Sequence, residues 1–230
     1  MKNLYKLLDK IEYDFNNIEY LQTALTHSSY ASEHNIEYEK NNERLEFIGD
    51  AFIDAVIGQY LFEMMPTARE GTLSRNRADV VCEESLADMA RNINLGQYIN
   101  LGKGEDTNGG RDKDSILADA FEALIGAIIL DGGYDEGKRI ILKLLNKQVK
   151  LAINGKITKD YKSKLQEKIQ GKYSRPTIEY EIVSESGPDH CKIFVIELNV
   201  NGKILGRGQG RSKIKAEQEA AKMALTKGEI

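Results

Sequence analysis

Two segments of this chain are apolar almost all the way round a helix and yet carry carboxylates on a single stripe, a combination few folds can bury. The first, Asn42 to Asp54, reads NERLEFIGDAFID and holds Glu43, Glu46, Asp50 and Asp54 at intervals of three, four and four. Residues three or four apart share a helix face, so these acids stack in one line. Leu45, Phe47, Ile48, Ala51, Phe52, Ile53, Ala55, Val56 and Ile57 fill the rest of the circumference, which predicts a largely buried helix. The second segment, Asp114 to Asp131, reads DSILADAFEALIGAIILD; on its inner side only Asp119 and Glu122 interrupt the apolar run, with small residues such as Gly126 on the same stripe.

Taken alone, an acidic stripe is most often a solvated face. Two such stripes on apolar helices point elsewhere, because like charges buried side by side must take up protons or a cation. If the stripes face each other, at least four carboxylates converge. That donor set suits Mg²⁺, a hard ion that takes oxygen ligands and keeps waters open to a substrate phosphate. Neither segment offers the His or Cys ligands of a zinc site. Such an ion polarises a phosphoryl oxygen and generates a hydroxide nucleophile.

The charge is divided unevenly along the 230 residues. Residues 1–155 hold 17 Lys and Arg against 26 Asp and Glu, whereas residues 156–230 hold 15 against 10. A basic C-terminal module on an acidic body suggests a tail that meets a polyanion and a body that collects cations. The longest strongly apolar run, Ala123 to Leu130, is far too short to span a bilayer. Cys82 and Cys191 have no metal-ligand or CxxC spacing, so free thiols and a cytoplasmic setting are expected.

In chain order, Leu4, Leu7, Leu8 and Ile11 predict an opening amphipathic helix, and a second runs from Ile18 to Ser29. His27, in ALTHSSY, reads as a hydrogen-bonded structural group beside hydroxyl residues. Asn42 is the expected N-cap of the first acidic helix, and Asp114 or Ser115 that of the second. Pro66 and Gly71 mark a turn holding Glu70, which is either a carboxylate brought to the stripe or a turn residue. A helix capped by Thr72 or Ser74 then buries Leu73, Val80, Val81, Leu86, Met89 and Ile93, with Arg75 and Arg77 on its polar side. GKGEDTNGGRDK, Gly102 to Lys113, reads as a flexible connector and lacks the order of a nucleotide-binding loop. Gly132 and Gly133 end the second acidic helix, and helical spacing resumes from Asp135 to Ala152.

The pattern changes beyond Asp160. Tyr161, Leu165 and Ile169 mark a helix that Pro176 stops; Ile178, Tyr180 and Ile182 alternate as one strand, and Phe194 to Val200 as another, with a turn at Gly187 to His190. Asn201-Gly202 is a type I′ hairpin signal leading to a third strand through Ile204 and Leu205. A last helix, Ser212 to Lys227, buries Ala216, Ala220, Met223 and Ala224. Arg211, Lys213 and Lys215 set cations at its N-terminus, where free backbone N–H groups and the helix dipole favour phosphate.

NERLEFIGDA together with DSILADAFEALIGAIILDGG resembles the pair of signature segments of bacterial ribonuclease III, and Asp160 to Thr226 resembles a double-stranded RNA-binding domain. The resemblance covers nearly the whole chain. It implies an all-α endonuclease domain over residues 1–153, a linker at 154–159, and a small α+β domain of order α-β-β-β-α over 160–228. It further implies a homodimer formed through the endonuclease domain that cuts double-stranded RNA with Mg²⁺, Mn²⁺ substituting. The products carry 5′-phosphate and 3′-hydroxyl ends with short 3′ overhangs, and the substrates include ribosomal and other structured precursors.

Carried over by position, the metal-binding and catalytic acids are Glu46, Asp50, Asp119 and Glu122, with Glu43 and Glu70 as accessory acids. Glu122 is implied to be a metal ligand needed for cutting more than for binding. Asp119 is implied either to share the metal or to protonate the leaving group. RNA contacts fall on Ser163, Gln166, Glu167 and Gln170, on His190, and on Arg211, Ser212, Lys213 and Lys215. These elements fit a domain that reads A-form shape over roughly 16 base pairs. The chain departs from the family where two adjacent lysines usually follow the serine: here Ile214 stands between Lys213 and Lys215. A non-catalytic duplex-binding relative would show a neutral residue at one of the four principal acids, and none is neutral here.

Overall fold

The computed structural model describes residues 4–154, 161–173, 176–186, 192–210 and 212–227. The chain divides into two units, Met1–Ile157 and Thr158–Ile230. The expected linker, 154–159, lies outside the described residues except for Asn154.

The first unit is helical throughout. Leu7 and Ile11 of α1 (Tyr5–Ile11) are fully buried, as their spacing requires. The helix expected over Ile18 to Ser29 is broken into α2 (Ile18–Ala24) and α3 (Ser28–Glu33). The break has a partner: the Asn100 N–H donates to Leu25 O at 2.7 Å and the His27 N–H donates to Asn100 O at 3.1 Å, so the backbone between the helices bonds to a distant loop instead of its own turn. α4 spans Glu43–Met64 with Asn42 at its N-cap position, as expected, though without a side-chain cap. Asn42 is itself helical, and Asn41 Oδ1 accepts from the Glu43 N–H at 3.0 Å.

The single helix expected across residues 72–93 is two, α5 (Glu70–Val81) and α6 (Glu83–Asn92), separated by the extended Cys82 at ψ 152°. The glycine-rich stretch that follows is no flexible connector. It holds α7 (Lys103–Thr107) and a short turn at Gly110–Asp112, fixed by the Arg111 guanidinium, which donates to Gly96 O at 3.0 Å and Ile99 O at 2.7 Å and pairs with Asp106. Charge-assisted bonds to buried carbonyls order such a loop where glycine content alone suggests freedom.

α8 runs from Asp114 to Leu144 and bends at Gly133, whose φ of 84° only glycine tolerates readily. No side-chain cap opens it; Asp114 lies in its first turn, bound by Arg91 at 2.6 Å. Just before the bend, Asp131 accepts from the Tyr13 hydroxyl at 2.6 Å and the N–H groups of Asn16 and Asn17 at 2.7 and 2.8 Å, tying the start of α2 to α8. α9 (Asn146–Ile153) closes the unit. Its core centres on α8: Phe121, Leu117 and Leu124 are fully buried with Ile53, Ile57 and Leu61 of α4 and Leu86 of α6. Burying each such side chain is worth about 1.5–3 kcal/mol.

The prediction of a largely buried α4 needs correction. Phe47 is 78% and Phe62 69% exposed, and Ala51 and Ala55 are open to solvent. A helix lying on the outside of one core buries one face, here Leu45, Ile53, Val56, Ile57 and Leu61, and its second apolar face has nothing of this unit to meet.

The second unit packs α10 (Tyr161–Lys172) and α11 (Lys213–Lys227) on an antiparallel sheet of order β1-β2-β3, with β1 Ile178–Ser186, β2 Ile193–Val200 and β3 Lys203–Gly210. Asn201 and Gly202 have φ of 53° and 81°, the left-handed pair the hairpin requires. Leu165, Ile169, Leu198, Val200, Leu205, Ala220, Ala221 and Ala224 form its core. Met223, expected inside α11, is 40% exposed, and Ala221 takes the inner position. Glycines let α11 lie against β3: a Cβ on Gly206 or Gly208 would stand 2.2 or 2.1 Å from the Ala220 or Ala216 carbonyl oxygen.

Candidate active site

The two acidic stripes meet because two glycines let the backbones of α4 and α8 touch. A Cβ on Gly49 would lie 1.9 Å from the carbonyl oxygen of Glu122, and one on Gly126 would lie 2.1 Å from that of Leu45. Any larger side chain at either position would hold the helices apart. One turn from this crossing, carboxylate oxygens of Glu46, Asp119 and Glu122 all lie within 4.8 Å of one another, each side chain half-buried.

Burial raises all three of those acids, and neighbouring carboxylates add to it. The Glu46 carboxyl is pushed up to about 7, first by burial and then by Asp119, Glu43 and Asp50. Burial again leads at Glu122, with Asp50, Glu46, Asp119 and Asp54 adding to it, and its carboxyl is pushed up to about 8. Asp119 is raised by burial and by Glu83, with His27 acting against them. Three all-oxygen donors held this close, and kept from ionising freely by their neighbours, form a site that a hard divalent cation fits: it supplies the missing positive charge and takes oxygen ligands.

The other expected acids are placed differently. Asp50 is exposed, one turn along α4 from Glu46; its charge is felt at both Glu46 and Glu122, but its oxygens are outside the group of three. Glu43 hydrogen-bonds the Tyr38 hydroxyl, whose pKa it raises. Glu70 opens α5, exposed, and accepts from the Ser74 hydroxyl at 2.7 Å. Asp54 pairs with Arg77 at 3.9 Å. Two groups near Asp119 had no site role in the sequence. Glu83 opens α6 without a helical partner acid to mark it, and His27 had only hydroxyl neighbours in the chain.

On the second unit, Gln166, Glu167 and Gln170 are exposed and Ser163 half-buried, along the face of α10 opposite the buried Leu165 and Ile169. Ser212 Oγ accepts from the Lys215 N–H at 3.2 Å, capping α11, and Lys213 and Lys215 are exposed in its first turn. Ile214 is 69% exposed between them. His190 and Arg211 lie outside the described residues.

Comparison with known proteins gives the same two-part division. A family pattern described as Ribonuclease-III-like matches residues 17–149, and the double-stranded RNA binding motif matches 161–227. The chain is similar to "Ribonuclease 3" of Caldanaerobacter subterraneus subsp. tengcongensis, 48% identical over 221 residues and 96% of each chain. "Ribonuclease 3" of Streptococcus gordonii is 46% identical over 228 residues, 99% of this chain and 97% of the relative. Among solved structures, the nuclease domain of ribonuclease III from Campylobacter jejuni superposes with a TM-score of 0.59 at 44% identity. It covers 64% of this chain and 98% of that one, and is described there as flexible in the region involved in its dimer formation.

Proposed function

This chain belongs to the ribonuclease III family, and from that premise we propose that it hydrolyses phosphodiester bonds in double-stranded RNA, with Glu46, Asp119 and Glu122 holding Mg²⁺ beside Asp50. The observation that carries this reading is the convergence of the three carboxylates at the glycine crossing of α4 and α8. When bound, the cation polarises the phosphoryl oxygen and supplies a hydroxide nucleophile, with Mn²⁺ able to take its place. The chain's own work is to place and tune the acids. Gly49 and Gly126 set their spacing, burial holds the Glu46 and Glu122 carboxyls well above the usual carboxylate range, and exposed Asp50 borders them on α4. Glu43 and Glu70 are assigned accessory roles.

The products expected are 5′-phosphate and 3′-hydroxyl ends with short 3′ overhangs, from ribosomal and other structured precursors. Duplex contacts are assigned to the α10 face of Ser163, Gln166, Glu167 and Gln170, to His190, and to Arg211, Ser212, Lys213 and Lys215. Exposed Gln and Lys side chains on two helices suit shape-based reading of duplex RNA. A homodimer through the first unit is supported by the uncovered apolar face of α4, where Phe47 lines one groove with Leu130, itself 51% exposed. A cytoplasmic setting accords with the two widely spaced cysteines, Cys82 and Cys191. Among the described residues, no helix is long and apolar enough to cross a membrane.

The test is Glu122→Gln in the full chain. It is expected to retain duplex binding in a gel-shift assay while Mg²⁺-dependent cleavage of a long RNA duplex falls by at least roughly a hundredfold. Cleavage at the parental rate would remove Glu122 from the site.

A further inference from the structure

His27 is held in one tautomer. Its Nδ1 lies 3.1 Å from the Ser29 N–H, which caps α3, and 2.7 Å from Ser29 Oγ. That hydroxyl oxygen also accepts from the Gly102 N–H at 3.0 Å, which holds the serine side chain beside the ring. Because Nδ1 accepts from the Ser29 N–H it must present its lone pair, which leaves the ring hydrogen on Nε2. Among the described residues, that Nε2–H makes no hydrogen bond to protein.

Three contacts hold the segment around His27 beside the two acidic helices. Thr26 O accepts from the Asn42 N–H at 2.9 Å, immediately before Glu43. Ala24 packs with Leu45, Ala123 and Ala127, next to Glu46 and Glu122 in the chain. The His27 backbone N–H is anchored on Asn100 O, and the ring lies near enough that any charge placed on it would be felt at both Asp119 and Glu105. The residue is half-buried, so part of it is open to solvent.

We propose that His27 touches the substrate: its Nε2–H donates to a non-bridging phosphate oxygen of the RNA strand being cut. The proposal rests on the nuclease reading given above. An acid cluster repels a phosphodiester, and a lysine or arginine placed here to offset that would pair with Asp119 and compete with a cation for it. An imidazole Nε2–H, oriented by the Ser29 cap on Nδ1, donates to phosphate while its other nitrogen stays bound to Ser29 and not to the carboxylate.

Two substitutions separate this role from simple capping. In His27→Asn the amide oxygen occupies the δ position and still accepts from Ser29, but no N–H reaches as far as Nε2. In His27→Gln a distal N–H is supplied and the short cap acceptor is lost. The full-length proteins are compared by melting temperature and by single-turnover cleavage of a long RNA duplex in Mg²⁺. His27→Asn is expected to melt within about 2 °C of the parent and to cleave roughly tenfold to a hundredfold more slowly. His27→Gln is expected to melt lower and yet cleave faster than His27→Asn. A purely structural role requires the opposite order, with His27→Asn parental in rate and His27→Gln the worse of the two. That order overturns the proposal, as does a parallel fall of rate and melting temperature in both variants. A parent that fails to cleave duplex RNA at all would instead remove the nuclease reading.

Discussion

Replacing Gly49 by alanine adds one methyl group where α4 meets α8, and its consequence for the site follows from distances. The new Cβ would stand 1.9 Å from Glu122 O, 2.6 Å from its carbonyl carbon and 3.0 Å from Gly126 N, all of them backbone atoms that no rotamer change can move aside. Restoring ordinary contact, about 3.4 Å, requires the helices to separate locally by about 1.5 Å. The oxygens of Glu46, Asp119 and Glu122 now lie within 4.8 Å of one another. Ligands on opposite sides of an octahedral Mg²⁺ are about 4.2 Å apart, so a gap opened to about 6 Å no longer lets α4 and α8 share one ion.

The stability cost is smaller than the functional one. Overpacking of this kind costs about 1–3 kcal/mol, and the better helix propensity of alanine offsets up to about 1 kcal/mol of it. The protein should fold, melting a few degrees lower. Melting temperature with and without Mg²⁺, measured alongside duplex cleavage, checks the argument: the Mg²⁺-induced rise should disappear and cleavage should fall by roughly a hundredfold or more. Gly71→Ala, at a helical position with nothing within 4 Å, is the control and should be neutral or slightly stabilising. A Gly49→Ala protein that keeps both the Mg²⁺ response and cleavage within a few fold of the parent would refute the claim that backbone contact sets the acid spacing.

Further outcomes are expected. In metal-free protein the Glu46 and Glu122 carboxyls stand at about 7 and about 8 against an ordinary 4.5, so the folded state holds protons that the unfolded chain has released. Stability should then fall as pH rises from about 4.5 to 8, by on the order of 1–2 kcal/mol after allowance for partial solvent screening. Urea melts in EDTA at pH 6 and pH 8 measure the fall, which Glu122→Gln should flatten; a flat profile in the parent would contradict the raising of these acids. Phe47→Asp should convert a dimer to a monomer in sedimentation velocity while leaving the monomer folded, since Phe47 is 78% exposed within one chain. An unchanged sedimentation coefficient would free Phe47 from the interface. Asp131→Ala leaves the Tyr13 hydroxyl and two backbone N–H groups without their acceptor and should cost about 2–4 kcal/mol in chemical denaturation; a loss below about 0.5 kcal/mol would show water replacing the carboxylate.

The acids were readable in the sequence because helical spacing alone puts Glu46 beside Glu43 and Asp119 beside Glu122, and because apolar neighbours make such stripes costly unless they serve something. The hairpin at Asn201-Gly202 was readable for a similar local reason, the left-handed pair that those two residues accept. What spacing could not say was how far along the stripe the convergence extends: Asp50 continues the α4 line yet falls outside the close group. Nor could periodicity distinguish an apolar face buried in its own unit from one left for another surface, so Phe47 read as core.

Long-range backbone contacts were equally silent. Asn100 divides α2 from α3, and Arg111 orders a loop whose glycines suggested freedom. His27 read as structural from its neighbours, and the cap it makes is indeed local. Its open Nε2–H and its nearness to Asp119 depend on Asn42, Asn100 and Gly102, residues no window around position 27 contains.

The central claim, that Glu46, Asp119 and Glu122 form one metal-binding site, is tested most directly by anomalous diffraction from crystals of the full chain soaked in Mn²⁺. An anomalous peak bonded to carboxylate oxygens of all three residues is expected, at distances on the order of 2 Å. No peak there at saturating Mn²⁺, or a peak held by other acids with these three unliganded, would contradict it.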